Sequence, residues 1–271
     1  LYENNAAARA VFDEVDDALN QKLSDIIFNG PMDELTLTAN VQPAIMATSI
    51  AMLRAAHEKL PEYVAGHSLG EYTALCAAGA LSLRDTARLL RLRGDAMQRA
   101  APAGTGLTAV ILGLDIDVVR DLCRDTECDV ANDNCPNQVV VSGARNAVED
   151  VLARAKDAGA RRAMPLALSV PVHCRMQGPA ADEMRDALAH IEIAQPNATF
   201  IANKTAAPMM DVNEIKDELV YQMTHGVRWR ESVMEMHKLG ITEQIEIGPG
   251  NVLTGLAGRI CPEINAKKLE I

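Results

Sequence analysis

The chain has 271 residues, of which 48% are hydrophobic, enough for one large α/β domain with an inserted lobe. Its 37 acidic residues outnumber its 26 lysines and arginines, giving a net charge of −11, and only one Trp, four Tyr and three Phe are present, which argues against nucleic acid as a partner. Six scattered cysteines without a C-x-x-C pair, no basic-apolar leader and no long apolar run favour a cytoplasmic protein with free thiols that neither spans a membrane nor is exported.

The N-terminal part of the chain is predicted to be mainly helical. Apolar residues recur every three to four positions over 5–28, which indicates an amphipathic helix, and a second helix is predicted over 43–60. A short apolar stretch at 63–65 then leads through a glycine-rich turn into an alanine-rich helix. A longer helix is predicted over 83–100.

Beyond a hinge rich in glycine and proline at 102–106, the pattern takes the order β-α-β-β-α-β of a ferredoxin-like unit. Its predicted strands are 107–112, 129–132, 138–141 and 163–168, and its predicted helices are 116–123 and 144–158. Helices at 176–189, 213–223 and 231–239 then alternate with strands at 199–202 and 243–247. The predicted fold is α/β: a hydrolase-like large domain with a parallel sheet and a nucleophile elbow, residues 1–103 and 172–271, with an inserted ferredoxin-like subdomain, residues 104–171.

The segment Gly66-His67-Ser68-Leu69-Gly70 has the form G-x-S-x-G and lies between a predicted strand and a predicted helix, as a nucleophile elbow requires. The two glycines permit a sharp turn that exposes the Ser68 hydroxyl at a helix N-terminus. There the Leu69 N–H is the natural first donor to a developing oxyanion. The alternative is a glycine-rich turn with an incidental serine, which the strand-turn-helix placement disfavours.

A serine hydroxyl needs a base, so one of the six histidines should lie within hydrogen-bonding distance of it. His173, which follows a strand and Pro171 at the start of a helix, is a candidate, and His225 stays possible. His67 is expected to point away from Ser68 and to pack. For the other three, a solvated or capping position on a helix is expected: His57, His190 and His237.

Arg93 interrupts an apolar helix face that carries Leu89, Leu90 and Met97. The fork of a guanidinium matches a carboxylate with two hydrogen bonds, so Arg93 needs an acidic partner. Two partners remain open: the free acid group of a substrate, or an internal Asp or Glu in a structural ion pair.

The elbow is one of several motifs that stand in a fixed order along the chain: Gln42-Pro43, Gly66-His67-Ser68-Leu69-Gly70-Glu71-Tyr72, Arg93-Gly94 with Met97-Gln98, Ser169-Val170-Pro171-Val172-His173-Cys174, and Gly248-Pro249-Gly250 with Leu253. Together, over nearly the whole chain, they resemble the bacterial malonyl-coenzyme A:acyl carrier protein transacylases. By this resemblance Ser68 is acylated, His173 is the general base and acid, and Arg93 pairs with the malonyl carboxylate. The family orients its histidine through a backbone carbonyl, and the matching residue is Gln222.

The resemblance implies a ping-pong transfer of malonyl from malonyl-coenzyme A to the phosphopantetheine thiol of an acyl carrier protein, supplying fatty acid synthesis. No metal and no bound cofactor are expected, since the coenzyme A thioester is the substrate. We expect a monomer whose partners are malonyl-coenzyme A and the carrier. Carrier proteins of this kind are usually acidic, so docking needs a local basic patch. Arg84, Arg88 and Arg91 on one predicted helix face are candidates; the alternative is a solvated face.

Members of the family begin with a strand that leads into a Gly-Gln-Gly turn, whose glutamine N–H is the second oxyanion donor. The sequence from Leu1 opens directly in a helical pattern. We therefore expect a protein that starts at Leu1 to be poorly active and less stable, and we expect the gene to encode such a segment upstream.

Two alternatives belong to other functional classes. One is a serine esterase or thioesterase of the α/β-hydrolase kind, which would use Ser68, Asp211 and His237 in that order. It leaves Arg93 and the inserted unit unexplained. The other is a catalytically impaired module that lacks the N-terminal oxyanion segment. Acyl transfer measured with and without an acceptor thiol separates the three hypotheses.

Overall fold

The computed structural model describes residues 1–57 and 59–271. Its first part is a group of helices around a short strand. In chain order the elements are α1 (Ala6–Leu19), α2 (Leu23–Asn29), α3 (Met32–Leu35), α4 (Thr38–Ala56), β1 (Tyr63–Ala65), α5 (Gly70–Ala77) and α6 (Leu83–Ala100). Helix α6 packs against α1 and α4, and its buried face includes Leu89, Leu90 and Met97, the apolar set seen in the sequence.

The middle of the chain forms a four-stranded sheet of its own. Its elements are β2 (Gly106–Leu112), α7 (Ile116–Cys123), β3 (Cys128–Cys135), β4 (Gln138–Ala144), α8 (Arg145–Asp157) and β5 (Arg162–Pro165). The strand order is β3-β4-β2-β5, and each neighbouring pair is antiparallel. A separate cluster of buried apolar side chains, including Ile111, Val141 and Val151, holds α7 and α8 against this sheet.

The last part returns to short strands and helices: a 3₁₀ turn (Arg175–Gln177), α9 (Gly178–Ala189), β6 (Thr199–Ile201), β7 (Pro208–Met209), α10 (Val212–Tyr221), α11 (Trp229–Lys238), β8 (Glu243–Glu246), α12 (Val252–Ile260) and β9 (Asn265–Lys268). Strand β1 pairs parallel with β6, which pairs antiparallel with β7, and β8 and β9 form a parallel pair. The fold is therefore mixed α/β. Among the described residues, no helix is long and apolar enough to cross a bilayer.

Close contact between α4 and α6 depends on Gly94. A Cβ atom at this position would lie 2.5 Å from the Cα of Ala39 and 2.6 Å from the carbonyl oxygen of Thr38. Real Cβ atoms do not approach backbone this closely, so only glycine lets the two helices touch here. The contact brings Arg93 on α6 beside Gln42 on α4.

The prediction of one helix over 5–28 is wrong, because the structure has two helices there. Asn20 ends α1 in a left-handed conformation, with φ of 48°, which asparagine tolerates better than most residues. The buried carboxylate of Asp16 then accepts hydrogen bonds from the N–H and the hydroxyl of Ser24 and fixes the start of α2. The helix predicted over 43–60 runs instead from Thr38 to Ala56, and residue 58 of the predicted range lies outside the described residues. The elements α3, β7, α12 and β9 were not predicted from the sequence.

Candidate active site

The turn between β1 and α5 holds Ser68 in a left-handed conformation, with φ of 57°. Position 66 must be glycine, because a Cβ atom there would lie 1.9 Å from the carbonyl oxygen of Gly70. Asn203, which follows β6, braces the turn from the neighbouring strand. Its side chain accepts from the Ser68 N–H at 2.7 Å and donates to the Gly66 carbonyl at 2.7 Å. The turn is therefore the sharp strand-to-helix elbow that the sequence predicted.

His173 is the histidine that meets the serine. Its Nε2 lies 2.7 Å from Ser68 Oγ, and its Nδ1 lies 2.6 Å from the backbone carbonyl oxygen of Gln222. A carbonyl can only accept, so Nδ1 carries the proton and Nε2 is free to take one from the hydroxyl. Burial, with a smaller contribution from the positive charge of Arg93, lowers the pKa of His173 to about 3. The imidazole is thus neutral, as a general base requires.

Arg93 lies behind the serine and is 2% exposed. Its guanidinium donates to Gln42 Oε1 at 2.6 Å, to Gln222 Oε1 at 2.7 Å and to Ser68 Oγ at 3.1 Å. Within residues 1–57 and 59–271, no carboxylate lies within ion-pair distance of it. Burial lowers the pKa of Arg93. The ordinary pKa of arginine is so high that the guanidinium still stays charged at neutral pH. The internal ion pair left open in the sequence analysis is therefore not formed.

The backbone N–H of Leu69 follows Ser68 directly at the start of α5. Leu69 caps the N-terminus of α5, and in the part of the chain that the structure describes its N–H has no protein acceptor. The partial positive charge of a helix N-terminus adds to the effect of this donor. Among the described residues, Leu69 N–H is therefore a hydrogen-bond donor without a protein acceptor next to Ser68, and its role as an oxyanion donor stays a prediction.

Two polar residues that the sequence analysis did not single out complete the site. Glu71, on the first turn of α5, is fully buried, and its carboxylate accepts from the Gln222 side chain and from the Asn203 N–H, each at 2.7 Å. Glu71 stood in the elbow motif without a role, and Asn203 had no local signal at all. Only the pairing of β1 with β6 brings Asn203 to the elbow.

The other histidines lie elsewhere. His67 bonds Asn134 through Nε2 at 2.9 Å and packs at 5.6 Å from the Trp229 ring, so it points away from Ser68 as expected. His225 is exposed and bonds the Tyr221 carbonyl. His57 and His190 cap the C-termini of α4 and α9.

The triad of the esterase hypothesis is not formed in the structure, so that prediction for Ser68, Asp211 and His237 is wrong. Asp211 caps α10 by accepting from the N–H groups of Asn213 and Glu214, and His237 lies in the last turn of α11. Neither reaches the serine, whose hydroxyl pairs with His173 instead. A capping carboxylate already has its hydrogen-bond donors, so it would not orient a distant histidine.

The three arginines considered for carrier docking are engaged with the N-terminal helices. Arg84 pairs with Glu14 and Asp17, Arg88 donates to the Ala18 carbonyl, and Arg91 donates to the Gln21 side chain. Their shared face of α6 packs near the C-terminal end of α1, where carboxylates and free carbonyls attract cations. The side chain of Arg84 is still 46% exposed, and Arg88 and Arg91 donate to neutral oxygens and keep their charge. Carrier docking on this face therefore stays a prediction.

Comparison with known proteins agrees with this geometry. Residues 1–260 match the family described as the acyl transferase domain. The malonyl CoA-acyl carrier protein transacylase of Bacillus subtilis is 43% identical over 267 residues, covering 96% of this chain and 84% of that protein. The protein of the same name from Escherichia coli K12 is 40% identical over 265 residues, covering 95% of this chain and 86% of that protein.

Solved structures give the same family. The acyl-carrier-protein-S-malonyltransferase of Bartonella henselae superposes with a TM-score of 0.96 at 48% identity, covering 99% of this chain and 89% of that chain. A malonyl-transacylase in complex with its type II PKS acyl-carrier protein has a TM-score of 0.95 at 38% identity, covering 99% of this chain and 89% of that chain. The resemblance seen in the sequence is confirmed, and the chain belongs to the malonyl CoA-acyl carrier protein transacylases of the acyl transferase family.

Proposed function

We propose that this chain transfers a malonyl group from malonyl-coenzyme A to the phosphopantetheine thiol of an acyl carrier protein, supplying fatty acid synthesis. The observation that carries the proposal is the buried guanidinium of Arg93, 3.1 Å from Ser68 Oγ, whose other hydrogen-bond partners are neutral amide oxygens. A buried charge without a counter-ion is costly, and a substrate carboxylate supplies one. An acyl group with a free acid therefore fits this site better than an acetyl group.

In the first half-reaction, Ser68 Oγ gives its proton to His173 Nε2 and attacks the thioester carbonyl carbon of malonyl-coenzyme A. An Oγ–C bond forms, and the C=O electron pair moves to the oxygen, which Leu69 N–H stabilises. When the tetrahedral intermediate collapses, the C–S bond breaks. The coenzyme A sulfur leaves with the proton held by His173, and a malonyl ester remains on Ser68.

In the second half-reaction, the thiol of the carrier's phosphopantetheine arm gives its proton to His173 and attacks the malonyl ester. The C–S bond forms, the Oγ–C bond breaks, and Ser68 recovers its proton from His173. The backbone carbonyl of Gln222 keeps the imidazole in the required tautomer and stabilises its transient positive charge. Throughout both steps Arg93 pairs with the malonyl carboxylate.

The finer architecture is part of the proposal. The sheet order β3-β4-β2-β5 with two helices on it supports a ferredoxin-like subdomain at 104–171, inserted in a hydrolase-like large domain at 1–103 and 172–271. The chemistry above needs no metal and no bound cofactor. We also propose a cytoplasmic location, since six free cysteines fit a reducing compartment, and we keep the monomer as a prediction.

Intact-protein mass spectrometry after mixing with malonyl-coenzyme A tests the assignment. The wild-type protein should gain one malonyl group, and Ser68→Ala should gain none while keeping its fold. Adding pantetheine should discharge the wild-type adduct onto the thiol. An adduct on Ser68→Ala would contradict the nucleophile, and an adduct lost to water at the same rate with and without pantetheine would favour the esterase hypothesis.

A further inference from the structure

Glu71 is a buried acid that takes no part in the proton transfers above. One carboxylate oxygen accepts from the Asn203 N–H at 2.7 Å, and the other accepts from the Gln222 side-chain amide at 2.7 Å. The Gln222 amide also donates to the Ser68 carbonyl at 3.1 Å, and its oxygen accepts from Arg93 at 2.7 Å. An amide therefore connects a buried carboxylate to a buried guanidinium, both beside the nucleophile.

The carboxylate determines which way the Gln222 amide points. A carboxylate only accepts hydrogen bonds, so the NH₂ end of the amide must face Glu71. A guanidinium only donates, so the oxygen end must face Arg93. If the amide were reversed, its oxygen would face the Glu71 carboxylate, which is also an acceptor, and its NH₂ would face the Arg93 guanidinium, which is also a donor. Both buried charged groups would then lose a hydrogen-bond partner. With a neutral group at position 71, this constraint on the amide is lost from one side.

We propose that Glu71 is a positioning residue for substrate selection: through the Gln222 amide, its carboxylate holds the Arg93 guanidinium in place for the carboxylate of the acyl group. This inference rests on the proposed function, because it concerns the group that Arg93 receives. It adds a residue that contacts neither the substrate nor the reacting atoms.

The separation between the two charges is the functional feature. If Glu71 contacted Arg93 directly, the pair would neutralise itself, and an arriving malonyl carboxylate would have to displace an internal one. With the Gln222 amide between the two charges, Glu71 polarises and orients that amide. The guanidinium of Arg93 can still form two hydrogen bonds with a substrate carboxylate. The pKa of Glu71 is raised well above its ordinary value, first by burial and then by the neighbouring Glu218 carboxylate, while the N–H donors of Asn203 and Gln222 and the charge of Arg93 act against that rise. The ionised form that accepts from both donors is therefore favoured in alkaline buffer.

A matched pair of variants tests the proposal. Glu71→Gln keeps the size of the side chain but places an amide against the Gln222 amide. Glu218→Gln makes the same charge change at a second buried acid, which accepts from the Lys204 N–H at 2.7 Å and does not contact the Gln222 amide. The rates of Ser68 acylation by malonyl-coenzyme A and acetyl-coenzyme A are measured for both in mildly alkaline buffer, together with the thermal midpoint.

Glu71→Gln should lower kcat/KM for malonyl-coenzyme A by about tenfold or more, the factor that corresponds to one charge-assisted hydrogen bond, mainly through KM. The kcat/KM for acetyl-coenzyme A should fall much less, so the ratio of kcat/KM for malonyl-coenzyme A to that for acetyl-coenzyme A decreases. Glu218→Gln should leave that ratio unchanged. If Glu71→Gln lowers kcat/KM equally for both substrates, or if both variants change the malonyl-to-acetyl ratio alike, the role of Glu71 is structural only.

A double-mutant cycle shows whether Glu71 acts through Gln222, and its single variant Gln222→Met remains a test of the proposal if Glu71→Gln does not fold. Gln222→Met removes the amide but keeps the backbone carbonyl that contacts His173. It should lower the malonyl-to-acetyl ratio by itself, and adding Glu71→Gln should lower the ratio no further. An unchanged ratio in Gln222→Met would overturn the proposal. Failure of the proposed function is a separate result, since wild-type protein would then take up no malonyl at all.

Discussion

Arg93 is the residue whose removal should change the substrate rather than only the rate. Arg93→Ala leaves the malonyl carboxylate buried without a partner, a loss of about 2 to 5 kcal/mol in transition-state stabilisation, whereas acetyl-coenzyme A has no group to lose. We therefore expect the variant to favour acetyl over malonyl when the two acylation rates of Ser68 are compared. Arg93→Lys, which keeps the charge but not the fork, should be intermediate. Equal loss for both substrates would mean that Arg93 is structural.

The buried imidazole of His173 should set the acid limit of the first half-reaction. Because burial lowers its pKa to about 3, His173 remains an unprotonated base well below 6.5, the ordinary pKa of histidine. The pH profile of kcat/KM for Ser68 acylation reports the free enzyme, and it should show no loss of rate near pH 6.5. A clear acid limb at that pH would show that His173 is solvated, contrary to its position in the structure.

The close contact between helices α4 and α6 sets the position of Arg93 relative to Gln42. Gly94→Ala places a methyl group against the backbone of Ala39 and forces α6 away from α4, which should separate Arg93 from Gln42. We expect a loss of about 1 to 3 kcal/mol in the free energy of unfolding, measured by denaturant titration, and a weaker malonyl preference.

Gly258→Ala is the matched control for Gly94→Ala. This glycine lies within α12 and a Cβ atom there would meet nothing within 4 Å. Alanine is the better helix former, so the substitution should stabilise the protein by up to about 1 kcal/mol. If the two substitutions change stability in the same direction, the contact between α4 and α6 is looser than the structure indicates.

Elements with a strong periodic pattern could be predicted, and short or tertiary-dependent ones could not. Helix α6 matches its predicted range of 83–100, and α7 matches 116–123, because each combines a capping residue with a regular apolar face. Strand β9 and the two-residue β7 carry too few residues for a periodicity. The break at Asn20 depends on a contact between Asp16 and Ser24 that no local pattern signals.

The candidate site divides in the same way. Ser68 and Leu69 are defined by neighbours in the sequence, so the motif alone indicates them. His173 was one of two histidines left open by the residues, and the resemblance and then the geometry selected it. Glu71 and Asn203 act through contacts between β6, α5 and α10, which only the folded chain brings together.

Across the whole molecule, acidification should cost stability because two histidines are buried. The pKa of His67 and that of His173 are both lowered by burial, so below pH 6.5 the unfolded chain binds protons that the folded chain does not. For His173, whose pKa in the folded protein is about 3, the loss is about 1.4 kcal/mol per pH unit as pH falls from 6.5 toward that value. The contribution of His67 has the same sign. The raised pKa values of Glu71 and Glu218 act in the opposite direction over part of this range.

Comparison of the wild type with His173→Gln isolates the contribution of one histidine from those opposing groups. Denaturant titrations at pH 7 and pH 5 should show a loss of stability that is smaller in the variant by about 2 kcal/mol, since His173 no longer titrates in the unfolded chain. Identical losses in the two proteins would mean that His173 takes up its proton in the folded state.

The four-stranded sheet has an evolutionary consequence, because one unbroken stretch of chain supplies all of its strands. The two ends of that stretch lie together: a Cβ atom at Gly106 would lie 2.4 Å from the ring of Pro171. A segment whose ends adjoin can be exchanged between relatives by recombination without lengthening the host chain. His173 lies among the first residues after this junction. An exchanged segment that packs incorrectly would therefore separate His173 from Ser68, and selection for activity would remove such a variant.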